Sequence, residues 1–316
     1  MQAVGAKSGA VCTLLPSQDF LSPRCAHILI LRPIASVYAI LRSHDWIYIT
    51  KLQHLSYISV MNLAAHIAAY GDRGFTGEQA EVITMMRVAA GVLFRDFPDS
   101  FFLFGGATLL LFHDSVRHSA DLDLLPRADK LPTSEDLRAS LATGLASAAD
   151  ALNLGPLHIE GSGDKILVKK RGNSLLFKVD ITRFGSLLES EVEEHGIEMD
   201  EDNVAKVKAA SRDFLLLQKA DCFLLRKIMK ARDAFDVYSL RQSGVVLNEQ
   251  LENHLEDTLM GHEIEATDIA ARIAQVDEKR CSALRALLPS EVFESLAKKH
   301  FSPLRDALHD LYRRWL

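Results

Sequence analysis

Residues Phe101 to Leu125 restrict the fold more than any other part of the chain. Phe101–Phe104 is a short, wholly apolar run; Gly105-Gly106 follows, and then Ala107 to Phe112, so the segment reads as strand, glycine turn and helix. Asp121 to Leu125 alternates carboxylate and leucine until Pro126 stops it. That alternation predicts a strand with one polar and one buried face, on which Asp121 and Asp123 point the same way.

Regular elements surround this segment. Thr76 and Gln79 form a capping box ahead of the apolar-periodic run Val82, Met85, Met86, Val88, Ala89, Val92 and Leu93, which predicts a helix ending before Pro98 and resting on a sheet. Thr133 or Ser134 caps another helix through Leu137, Leu141, Leu145 and Ala149 to the turn at Gly155-Pro156. Leu157 to Glu160, Ile166 to Lys170 and Ser174 to Thr182 read as strands joined by hairpin-type turns, an antiparallel portion of a mixed sheet. After an acidic stretch from Glu189 to Asp202 the chain turns helical, most clearly over Arg212 to Lys230 and Arg232 to Gln242, and stays helical to Leu316. The expected fold class is α/β, a mixed sheet flanked by helices, followed by an all-helical C-terminal half. The expected organisation is an extension over 1–60, an α/β domain over 61–190 and a helical domain over 191–316, joined near 185–211.

Residues 1–60 differ from the rest, with five Lys or Arg against two Asp and no sustained periodicity. Met61 opens a cleaner helical pattern, so this segment is either a natural extension or an upstream artefact of a start at Met61. Its most apolar stretch, Ala26 to Leu41, is broken by Arg32 and Pro33, is too short for a membrane span and lacks the order of a signal peptide. A soluble, cytoplasmic protein is expected. Cys12, Cys25, Cys222 and Cys281 lie far apart without metal or disulfide spacing, which fits a reducing compartment. With a net charge of -6, a wholly basic nucleic-acid surface is excluded, and any RNA must be met by a local patch.

Two carboxylates on one strand face can reach one or two divalent cations, supplying the hard oxygen ligands that magnesium prefers. A second Asp-x-Asp, Asp200-Glu201-Asp202, sits in an acidic run and reads as a solvated face. The glycine turn either brings backbone N–H groups to phosphate oxygens at a helix start, or serves chain reversal alone. Asp180 lies on the polar face of Phe177 to Thr182, as a third metal ligand from a neighbouring strand or as an exposed strand Asp. Lys219, Cys222, Phe223 and Arg226 share a helix face, with Leu215, Leu216, Leu224 and Leu225 towards the core. Lys219 needs an anionic partner, either a triphosphate or Asp233 in a structural ion pair. Asp233 and Asp236 fall one helical turn apart; Asp233 positions Lys219 or a metal water, or belongs to a helix-start charge cluster. Neither His113 nor His118 has a partner at ligand spacing, and both read as ordinary residues. Gly-x-Ser-x-Gly, Walker-type and dinucleotide fingerprints are absent, so hydrolase and dehydrogenase readings lose their usual support.

Taken together, Phe101-Phe102-Leu103-Phe104-Gly105-Gly106-Ala107-Thr108-Leu109, Arg117-His118-Ser119-Ala120-Asp121-Leu122-Asp123, Lys219 with Arg226, and Arg232-Asp233-Ala234-Phe235-Asp236 resemble the AbiEii/AbiGii toxin-type nucleotidyltransferases, including the MenT-like toxins. The resemblance spans roughly residues 78 to 242. It implies a nucleotidyltransferase fold, an NTP donor, magnesium, an RNA acceptor (tRNA 3′ ends in MenT-like members) and an antitoxin partner. It further implies that Gly105, Gly106 and Ser119 line the phosphates, Asp121 and Asp123 bind metal, Lys219 and Arg226 hold the nucleotide, and Asp233 completes the site. Ser119 also matches a position that can be phosphorylated when such a toxin is silenced. The chain reads Gly-Gly-Ala-Thr where the family usually has Gly-Gly-Thr-Ala, and Ala120 replaces a usual acidic residue; neither change removes a catalytic group. Alternatives of other kinds are transfer to a protein or small-molecule hydroxyl, and a catalytically idle module binding nucleotide or antitoxin.

Overall fold

The computed structural model describes residues 62–127, 131–182, 187, 189–200 and 203–316. The expectations for residues 1–60 and for Glu201-Asp202 lie outside the described residues. Helix α1 covers 62–72, and α2 (Gly77–Asp96) begins at the Thr76 capping box, both halves of which form. Strand β1 (Phe101–Phe104) runs into α3 (Gly105–Phe112), which starts on the glycines themselves. Strand β2 (Asp121–Pro126) precedes α4 (Ser134–Ala151), whose N-cap is Thr133 in a capping box with Asp136.

β3 (His158–Ser162), β4 (Lys165–Lys170) and β5 (Ser174–Ile181) form the expected antiparallel meander. β6 (Val192–Glu198) and β7 (Val204–Ala210) make a further hairpin where the sequence shows only an acidic stretch and a joint. The seven strands lie in the order β3-β4-β5-β2-β1-β7-β6. β2 is thus central, antiparallel to β1 and parallel to β5.

Period-two alternation separates the two faces of this sheet. Phe101, Leu103, Leu122, Leu124, Phe177 and Val179 belong to a core shared with α2 and α4. Phe102 and Leu125 point the other way, into a second core. That core is built with α5 (Arg212–Leu225), α6 (Ala231–Gln242), α7 (Glu249–Gly261), α8 (Ala266–Ala274), α9 (Glu278–Cys281), α10 (Ser290–Lys298) and α11 (Ser302–Tyr312). Asp121 and Asp123 share the face of Leu125, so the fold lays its carboxylates under the helical layer.

α5 is shorter than the periodicity suggests: it stops at Leu225, and Arg226 takes an extended C-cap conformation. Leu225, expected on the core side, is exposed because the helix ends there. Arg272 from α8 donates to the carbonyls of Phe223, Leu224 and Arg226, supplying donors to the orphan acceptors of this helix end. Among the described residues no helix is long and apolar enough to cross a membrane.

Candidate active site

The site begins with register. Phe104 pairs with Asp123, so the turn leaving β1 is set against the second carboxylate of β2. Gly105 has φ +80°, a left-handed conformation that L side chains rarely adopt, and a Cβ there would sit 2.3 Å from Asp123 Oδ2. At Gly106 a Cβ would lie 2.5 Å from Arg117 Nη2 and 3.0 Å from Ser119 Oγ. Both glycines are buried, and α3 starts without a side-chain cap or an acidic residue in its first turn. A buried, uncapped helix start of this kind offers N–H donors and a positive dipole end to an anion.

Gly105→Ala should therefore destabilise the protein by about 1–2 kcal/mol from backbone conformation alone, and by more once the methyl group displaces Asp123. Urea unfolding at neutral pH measures this directly, and an unchanged midpoint would refute the close approach.

Parallel pairing of β2 with β5 sets Asp123 beside Asp180 and Asp121 beside Lys178. Lys178 Nζ is 2.5 Å from Asp180 Oδ2 and 3.4 Å from Asp121 Oδ2. Lys165 approaches Asp180 at 3.9 Å. Burial works against the charge on Lys178, but hydrogen bonds and attraction from Asp180 and Asp121 outweigh it, and its pKa rises. Asp180 is thus neither isolated nor fully exposed; it belongs to a carboxylate cluster bridged by one ammonium.

The helical layer adds the other half of the site. Lys219 is 6% exposed and lies 3.6 Å from Asp236 Oδ2, not in an ion pair with Asp233. Arg117 grips Asp236 bidentately, Nε to Oδ1 at 2.6 Å and Nη2 to Oδ2 at 2.9 Å, and donates a third bond to the His118 carbonyl. Asp236 therefore ties the Arg117–Asp123 segment to α6. It also accounts for the Arg in the stretch Arg117-His118-Ser119, a role that sequence spacing does not reveal because the partner lies 119 residues away.

Asp233 is 1% exposed. Arg226 Nε approaches its Oδ2 at 2.8 Å, but neither carboxylate oxygen has a well-aligned hydrogen bond. Burial raises the Asp233 pKa, opposed by Lys219 and Arg226. A buried carboxylate without hydrogen bonds beside two cations is costly for the fold alone, and such groups mark functional sites.

Asp123 carries the strongest perturbation of the cluster. Burial, with further contributions from Asp121 and Asp180, raises its pKa to about 6, against the opposing pull of Lys219 and Lys178. This excess of closely set oxygen donors suits a hard divalent cation, which would relieve the repulsion among them.

Of the residues singled out from the sequence, Gly105 and Gly106 start α3, Ser119 lies in the loop just before β2, Asp121 and Asp123 are on β2, Asp180 is on β5, Lys219 is within α5, Arg226 is its C-cap and Asp233 is in the first turn of α6. Lys178 and Asp236 are added by the structure. For Lys178 the signal was present, as a lysine one pleat from Asp180 on the same strand face; its bridging role appears only through pairing of β5 with β2.

A family model described as "Nucleotidyl transferase AbiEii toxin, Type IV TA system" matches residues 89–314. Among solved structures, an H. pylori protein described as a nucleotidyltransferase shares 18% identity, covering 76% of this chain and 97% of that one, with a TM-score of 0.45. JHP933 from Helicobacter pylori shares 16% identity over 76% and 94% of the two chains, at TM-score 0.43. An antigenic nucleotidyltransferase-like protein from Paracoccidioides brasiliensis shares 18%, over 61% and 91%, at TM-score 0.35. No curated protein matches the chain.

Proposed function

The chain belongs to the AbiEii family of nucleotidyl transferase toxins of type IV toxin–antitoxin systems, and from that premise we propose that it transfers a nucleotide from an NTP to an RNA hydroxyl in the cytoplasm, with magnesium held by Asp121 and Asp123. The observation that supports this most is the contact between turn and strand: the Asp123 carboxylate fills the space a Cβ would need at Gly105. A cation on the carboxylates and phosphates on the helix start would then be neighbours.

Bound magnesium supplies positive charge to the transferred phosphoryl group and the departing pyrophosphate. The chain's own residues do the positioning. Backbone N–H groups of Gly105 and Gly106, with the Ser119 hydroxyl, line the phosphates. Lys219 and Arg226 neutralise the triphosphate; buried Asp233 orients Arg226, and Asp236 holds Lys219. Asp180, beside Asp123 on the neighbouring strand, would be a further ligand to the metal. The RNA hydroxyl attacks the α-phosphorus in line, its oxygen forming the new bond and its proton passing to water as the bond to the β-phosphate bridge breaks and pyrophosphate leaves.

RNA is the acceptor that fits the surroundings. Lys227 and Lys230 are exposed on the α5–α6 turn and Arg232 is half-buried at the start of α6, a local basic patch beside the site on an otherwise acidic protein. A tRNA 3′ end is the acceptor we favour, and an antitoxin is the partner that family membership brings.

Incubation of the protein with α-labelled NTPs and a cell extract, followed by RNase, tests this reading. Label in RNase-sensitive material is expected, and Asp121→Ala should abolish it. RNase-resistant label would point to a protein or small-molecule hydroxyl, and no label in the presence of magnesium would make the protein a binding module.

A further inference from the structure

A second cluster of ligating side chains lies at the far edge of the sheet, three strands from β2. His113 caps the C-terminal end of α3, and Glu193 and His195 alternate on the edge strand β6, so that both project from one face. One ligand atom from each of the three lies within 4.8 Å of the others. We propose that His113, Glu193 and His195 form a zinc site that staples the end of α3 to the edge of the sheet.

The donor set and its spacing carry the assignment. Two imidazoles and one carboxylate suit zinc, whereas magnesium prefers oxygen alone. His195 Nε2 lies 3.4 Å from Glu193 Oε2. Zinc bonds of about 2.0–2.2 Å in a tetrahedron set ligand atoms about 3.3–3.6 Å apart, so this edge is already formed. The other two ligand pairs lie within 4.8 Å.

His195 Nε2 is buried without a hydrogen-bond partner, and the ring is held by stacking on Phe112 at 4.4 Å. His113 Nε2 donates to the Ala210 carbonyl at 3.3 Å, which makes Nδ1 the acceptor nitrogen of the ring, the outer support typical of metal-bound histidine. Arg212 Nε currently donates to that Nδ1 at 3.2 Å; the contact is exposed, and its release is the step that zinc entry requires. Exposed Glu193 leaves the fourth position to solvent.

The experiment uses the full chain, stripped with a chelator and titrated with zinc or cobalt(II). One ion per chain, a melting temperature that rises with zinc concentration, and a visible cobalt spectrum of low coordination number are expected. His195→Ala and Glu193→Gln should abolish all three, whereas Asp121→Ala should keep them. Glu193 is exposed, so its variant keeps the test clear of any folding defect from histidine loss. The proposal is overturned if zinc does not raise the melting temperature, if the rise survives in His195→Ala and Glu193→Gln, or if it is Asp121→Ala that removes it.

Discussion

Asp123→Asn will melt at a higher temperature than the wild type in the absence of ligands, at pH 7.5, and will transfer no nucleotide. An unfolded chain ionises this carboxyl near pH 4, whereas the folded chain holds the proton until about pH 6. The folded state thus binds the extra proton between those values, and its contribution to stability is complete below about pH 4 and lost as pH rises through about 6. Above that, the buried charge costs about 3 kcal/mol, the equivalent of a shift of roughly two units. Asparagine removes this cost while keeping the shape.

The stability gap between variant and wild type should therefore shrink steadily from pH 7.5 to pH 4. Over the same range, magnesium or NTP affinity of the wild type should fall as pH drops through about 6, because the ligand must be ionised. Calorimetric melts and binding titrations across this window measure both effects. A variant that melts below the wild type at pH 7.5 would show that Asp123 is a structural acid.

The second large effect concerns the buried ion pair. Asp236→Ala should destabilise the protein by about 3–5 kcal/mol, since Arg117 at 3% exposure and Asp236 at 0% leave no water to replace the lost partner. Arg117→Ala should cost less, because Lys219, 3.6 Å from Asp236, remains to neutralise it. Loss of Asp236 strands both cations. Urea unfolding orders the two variants, and a double Arg117→Met, Asp236→Leu variant should recover much of the loss if desolvated charge is the cause. Equal losses in the two single variants would rule out the shared role of Asp236.

The central architecture was legible because it rests on local signals. Capping boxes at Thr76 and Thr133 marked two helices, Gly105-Gly106 marked the turn, and alternation about Leu122 and Leu124 marked the carboxylate strand and its polar face. What escaped the sequence depends on long-range pairing. The β6–β7 hairpin has exposed, charged positions on its edge strand, so its alternation resembles that of an acidic loop, and only pairing with β1 reveals it. The α5 terminus escaped for a similar reason, its end being held by Arg272 from a helix 46 residues further on. His113 and His195 stand 82 positions apart in the sequence and share no motif. Asp236, by contrast, was visible as one of two acids a turn apart, but nothing local says which of them faces Arg117.

The middle position of β2 has a consequence for how the molecule can go wrong. With β1 on one side and β5 on the other, both of its hydrogen-bonding edges are used. A slip of one residue would swing Leu122 and Leu124 outward and bury Asp121 and Asp123 among phenylalanines and leucines. Misregistered chains would thus be unstable and inactive through the same error.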